Sequence, residues 1–175
     1  MYKVRGLIFC VTCLIIFFVA SCSQKSEDTA EIKYYPVDSM KGIITRSDVQ
    51  IDKKVTSDGN GSLCITADSP TTVRLYETGN IDIENARLIY QAKLCTEAVN
   101  GQIYIEMVCH FSGKGDFFSR ALQSPLSGSN NWTSQETPFF LKKGENPDNV
   151  KLNLVIKGKG TVWIDDIHLI KAPLK

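Results

Sequence analysis

From Val150 to Ile156 apolar side chains stand at 150, 152, 154 and 156, with Lys151 and Asn153 between them, the period of a strand that buries one face. Ile103, Ile105, Met107 and Cys109 alternate in the same way with Tyr104, Glu106 and Val108. Short runs rich in β-branched and aromatic residues repeat this pattern and predict strands over residues 42–46, 49–53, 62–67, 72–77, 86–95, 102–111, 135–141, 150–156 and 161–170. No stretch of a dozen residues carries a helical stripe. The turns between strands are supplied by Asp58-Gly59-Asn60-Gly61, and by Gly158-Lys159-Gly160, which predicts a closing hairpin between the last two strands. Many short, half-buried strands without helices predict an all-β fold, a sandwich of two antiparallel sheets.

The first residues break this pattern. Lys3 and Arg5 precede an apolar run from Leu7 to Val19, which is shorter than the 20 or so residues of an ordinary spanning helix. Val19-Ala20-Ser21-Cys22 follows and resembles the lipobox of bacterial lipoproteins, where the leader is cut and the cysteine acylated. The resemblance implies a leader over residues 1–21, a bilayer partner held through acylated Cys22, and residence in the cell envelope. Ser23, where a retained inner-membrane lipoprotein of the enterobacterial type has Asp, points to the outer membrane. The polar residues 22–33 then read as a tether, and residues 34–175 as the domain.

Composition narrows the partners. Without Lys3 and Arg5 the 20 basic residues fall to 18 against 19 acidic ones, a balance of −1 that offers nothing to nucleic acid. About 140 residues beyond the tether suffice for one core and not for two. Of the 6 cysteines, Cys10 and Cys13 leave with the leader and Cys22 is acylated. Cys64, Cys95 and Cys109 remain, each in an apolar strand run, either as buried thiols or with one pair bridged.

The C-terminal run Gly160-Thr161-Val162-Trp163-Ile164-Asp165-Asp166-Ile167-His168-Leu169, with Asp58-Gly59-Asn60-Gly61-Ser62-Leu63 before an early strand and Trp132-Thr133 leading into Thr137-Pro138-Phe139-Phe140, resembles jelly-roll carbohydrate-binding modules and related galactose-binding-like domains. The resemblance spans roughly residues 38–171. It implies a jelly roll, a core role for Trp132, and a possible structural calcium on Asp165 or Asp166. No cofactor besides that calcium is implied, and Asp38 is the one acidic residue near the place of the family's first-strand ligand.

Catalytic machinery is thin. His110 and His168 stand on different strands, and Cys109 and His110 are strand neighbours that point to opposite faces. There is no Gly-x-Ser-x-Gly elbow and no phosphate-cradling loop. A small glycan hydrolase would have to pair Glu106 with Glu136 or Asp166. A non-catalytic module suits the residues better. Weak glycan recognition would use the outward residues Tyr104, Glu106, Lys151 and Asn153. An alternative is a structural or protein-interaction module that docks an envelope partner through Phe117, Phe118 and Arg120, within a long loop over residues 110–132.

Overall fold

The computed structural model describes residues 29–174, so the leader, Cys22 and most of the expected tether lie outside the described residues. Nine strands follow one another: β1 Ala30–Tyr35, β2 Val49–Asp52, β3 Ser62–Ala67, β4 Thr71–Gly79, β5 Ala86–Phe111, β6 Gly115–Arg120, β7 Leu126–Leu141, β8 Asn149–Ile156 and β9 Lys159–Ala172. Every pairing is antiparallel. The fold is all-β, a two-sheet jelly roll.

The 26-residue β5 organises the molecule. Its first half lies between β9 and β7, and β9 in turn pairs with β3 and, further along, β1. Its second half lies between β8 and β6, with β4 beyond β8. One strand thus serves both sheets, and the hydrogen-bond ladder is continuous through it. The change of sheet falls over residues 97–102, where the register with β7 and β9 shifts and Ala98 and Gly101 take φ of 52° and 132°. At this bend the Lys157–Gly158 turn presses against β5 so closely that a Cβ on Gly101 would overlap the Lys157 carbonyl, and one on Gly158 the Asn100 carbonyl.

The core lies between the sheets. Leu88, Tyr90, Ala92 and Leu94 from one half of β5 meet Ile103, Ile105, Met107 and Cys109 from the other, with Leu152 and Leu154 of β8 and Ile164 and Ile167 of β9, all fully buried. The two-residue alternation read from the sequence supplies this inner layer.

Several expectations are corrected. β8 and β9 do not form a hairpin: they lie in different sheets, and the Lys157–Gly158 turn carries the chain around the β5 bend. Residues 42–46 are not a strand, although Ile44 and Thr45 donate backbone N–H groups to Leu75 and Arg74 of β4 at 3.1 and 2.9 Å. The expected loop over residues 110–132 is largely sheet, since it contains β6 and the start of β7. β1 begins at Ala30, inside the expected tether. It is an edge strand paired only with β9, and Ile32 and Tyr35 are its residues packed on the core, so it carries little hydrophobic signal.

Candidate functional site

The outer face of the sheet β4-β8-β5-β6 collects the polar side chains that the inner face excludes. Strand register aligns them in rows: Arg74, Asn153, Glu106 and Arg120 form one row across four strands. The next row along holds Glu77, Lys151, Val108 and Phe118, and the one after holds Asn149, His110 and Asp116. A bulge in β4 between Arg74 and Tyr76 lets both Leu75 and Tyr76 turn inward while Arg74 and Glu77 share the outer face.

Glu106 is the centre. The residue is 7 % exposed, and both carboxylate oxygens are used: Oε2 accepts from Arg120 Nε at 2.5 Å and Oε1 from Asn153 Nδ2 at 3.1 Å. A carboxylate drawn this far out of water needs such charge-assisted partners. The Arg120 guanidinium carbon stands 4.8 Å from the centre of the Phe118 ring, which is 55 % exposed. Asn153 is 8 % exposed, and its Oδ1 is buried without a partner.

Beside this centre Asp116 accepts from His110 Nδ1 at 2.7 Å and Lys151 Nζ at 3.2 Å, and these two partners hold its carboxyl below the usual aspartate value. Glu77 accepts from Asn149 at 2.8 Å and lies 3.4 Å from Arg74. The face is therefore a lattice of planar donors and acceptors with one open aromatic ring, a chemistry suited to vicinal hydroxyls and the apolar face of a sugar ring.

The four residues singled out for glycan contact do share this face. Tyr104, however, is 5 % exposed and belongs to the core cluster, so it cannot serve as a stacking platform; Phe118 is the exposed ring here. The residues assigned to a separate partner loop are divided. Phe118 and Arg120 join the Glu106 face, whereas Phe117 pairs with Cys109 on the opposite parity and packs edge-on against Phe111 at 5.7 Å. Sequence reading missed Arg74, Glu77, His110, Asn149 and Asp116. The β4 bulge hides the first two, and a hairpin read as loop hides Asp116.

The possible calcium site is not suited to the ion. Asp165 and Asp166 occupy a bulge where three steps of β9 oppose two of β5, and Asp166 takes φ of 53°. Asp165 accepts backbone N–H groups of Ser57 and Asp166 at 2.9 and 2.8 Å, and burial raises its carboxyl pKa despite these bonds. Asp166 meets the Lys93 ammonium at 2.8 Å and His168 at 3.1 Å. Calcium wants six to eight oxygens, but an ammonium already neutralises Asp166, and among the described residues no group of three or more His, Cys, Asp or Glu is placed to hold a metal.

Cys64 and Cys95 flank Trp163 from opposite sides, one strand away each, which puts them about 10 Å apart and out of bridging range. All three cysteines of the domain are free thiols. Trp132 is half-buried outside the core cluster, which corrects its expected core role; Trp163 is the covered indole, donating to Asp52 at 3.0 Å.

No protein-family model and no curated protein matches the chain. Solved structures share its fold. The CBM22-1 xylan-binding domain of Paenibacillus barcinonensis Xyn10C aligns with a TM-score of 0.61 at 10 % identity, over 82 % of this chain and 96 % of that one. The C-terminal family 22 carbohydrate-binding module of Clostridium thermocellum Xyn10B aligns at 0.58 and 9 %, over 83 % and 96 %. A family 16 carbohydrate-binding module aligns at 0.56 and 12 %, over 75 % and 92 %.

Proposed function

We propose that this chain is a non-catalytic glycan-binding module of a bacterial cell envelope, tethered at the outer membrane through acylated Cys22. The observation that carries the glycan reading is the row Arg74, Asn153, Glu106 and Arg120 with Phe118 beside it. The exposed guanidiniums of Arg74 and Arg120 present planar donors, Arg120 being held by the largely buried pair Glu106 and Asn153, and sugar hydroxyls can meet them beside the Phe118 ring. A jelly-roll fold shared with modules that bind carbohydrate supports the same reading.

Hydrolysis finds little support. Glu106 is committed to Arg120 and Asn153, Asp166 to Lys93 and His168, and Glu136 pairs with Gln91 in the other sheet. The alternative of a protein-docking loop loses its unit, because Phe117 and Phe118 face opposite ways. Anchoring rests on the lipobox resemblance around Cys22.

Titration of the protein with xylo-oligosaccharides and a broader glycan panel tests the reading by calorimetry. The expected result is binding in the micromolar to millimolar range that falls about tenfold in Arg120→Ala and in Phe118→Ala. Absence of binding to any glycan at millimolar concentration overturns it.

A further inference from the structure

One end of the sandwich gathers phenylalanines from both sheets. Phe111 and Phe117 come from the β5–β6 hairpin, and Phe139 and Phe140 from the end of β7, with Phe111 and Phe139 rings 6.0 Å apart. Together with Lys114, Lys142 and Glu145 they line an open cleft of about 250 Å³. Phe117 and Phe140 are 46 % and 57 % exposed. Lys114, Lys142 and Lys143 are exposed around them, and among the described residues none of the three is in an ion pair. The acidic neighbours are turned to backbone: Glu145 accepts the Lys142 N–H at 2.9 Å and Glu84 the Gly144 N–H.

The chain arrives at this same end. Ala30 pairs with Lys171, Lys171 with Leu88, and Leu88 with Phe139, so the first strand residue and Phe139 of the cluster share one row about 14 Å wide. Ala30 follows Cys22 by eight residues, a reach of at most about 29 Å. The opposite end, at Lys159, stands a further twelve residues of β9 away, about 40 Å. With an acyl group on Cys22, the phenylalanine end is the end of the domain that lies within easy reach of the membrane.

We propose that this end is a bilayer-docking surface, with Phe117 and Phe140 entering the interfacial layer and Lys114, Lys142 and Lys143 meeting lipid phosphates. The proposal rests on the anchoring reading. Docking by the end stands the strands upright and lifts Glu106, five residues along β5 from Phe111, about 17 Å clear of the lipid, so that the polar face stays open to ligand.

The test uses the full chain, processed in cells and reconstituted in phosphatidylethanolamine–phosphatidylglycerol vesicles with lipids brominated just below the headgroup. Tryptophan emission is compared with wild type in Phe140→Trp and, at the far end, Lys159→Trp. Docking predicts that the signal added by Phe140→Trp is quenched about twofold and that added by Lys159→Trp is not. A vesicle-bound protein with no quenching in either variant, or equal quenching in both, overturns docking and leaves anchoring intact. A protein that stays off the vesicles, with Cys22 unmodified by mass spectrometry, overturns both.

Discussion

Asn153 donates its amide N–H to Glu106 across the β5–β8 ladder at 3.1 Å while its own carbonyl oxygen, equally buried, accepts nothing. A buried oxygen without a donor costs about 1–3 kcal/mol, and such groups persist where a bound water or ligand supplies the missing bond. Fold stability and ligand affinity should therefore respond differently at this position. Asn153→Leu removes the orphan oxygen but also takes the donor from buried Glu106 Oε1, so the two effects offset only in part and unfolding should lose about 1–2 kcal/mol. Glycan affinity, measured by calorimetry, should drop about tenfold. A variant that keeps full affinity would separate Asn153 from the site.

Gly101 carries the bend that lets β5 serve both sheets. Its φ of 132° is unfavourable for any side chain, and a Cβ there would overlap the Lys157 carbonyl. Neither strain can be relieved alone, because the Lys157–Gly158 turn is pinned by the Lys157 N–H to Gln102 carbonyl bond at 2.8 Å. Gly101→Ala should cost more than about 3 kcal/mol, read by denaturant unfolding. Gly113→Ala tips the β5–β6 hairpin at φ of 73° with open space around it and should cost about 1 kcal/mol.

The strands with two-sided alternation were legible because each buries a full inner face: β3, β8 and the second half of β5 fall within a residue or two of their expected bounds. Two edge strands, β1 and β6, were not, although β2 and β4 at the ends of the strand order were. β1 and β6 each have one neighbour and mostly exposed side chains, so hydrophobic period says little about them. Sheet membership was equally hidden, since the turn between β8 and β9 has the composition of a hairpin and only the close packing against Asn100 and Gly101 forbids one. For the site, parity along single strands gave Glu106, Lys151 and Asn153. Arg74 and Arg120 complete the row only through long-range register, which no local pattern encodes.

The thiols should sort by cover. Cys109 is wholly buried and desolvation pushes its pKa up to about 12; Cys64 and Cys95 are also raised by burial, Cys95 being the least covered. Since the thiolate is the reactive form, a thiol reagent at pH 8 should label Cys95 first and Cys109 only as the domain opens. Mass spectrometry of the alkylated, unreduced domain should find all three modified. A recovered disulfide between any two would contradict the strand separation of Cys64 and Cys95 or the burial of Cys109.

Asp166 should make part of the stability depend on pH through an ammonium and not through calcium. Burial pushes its carboxyl up, but hydrogen bonds and charge from Lys93 and His168 outweigh this and hold it below the usual 3.8. A depressed folded pKa adds stability above the unfolded value, and that share is lost as pH falls through the folded one. His168 also bridges to Glu31 at 2.5 Å and stacks under Tyr34 at 4.7 Å, so the same cluster clasps β1 to β9. Lys93 is 38 % exposed, which limits the pair to about 0.5–1 kcal/mol. Lys93→Met should therefore be less stable than wild type by about that amount at pH 6, with the gap narrowing below pH 3.8 until Asp166 is protonated in both. Asp165, whose raised pKa works in the opposite sense, feels Lys93 only through space and adds a smaller change of its own to the difference. Repeating the melts with millimolar calcium or a chelator should leave wild type unmoved. A calcium-dependent rise in the melting temperature of wild type would mean that the metal displaces the ammonium and that these carboxylates do form its site.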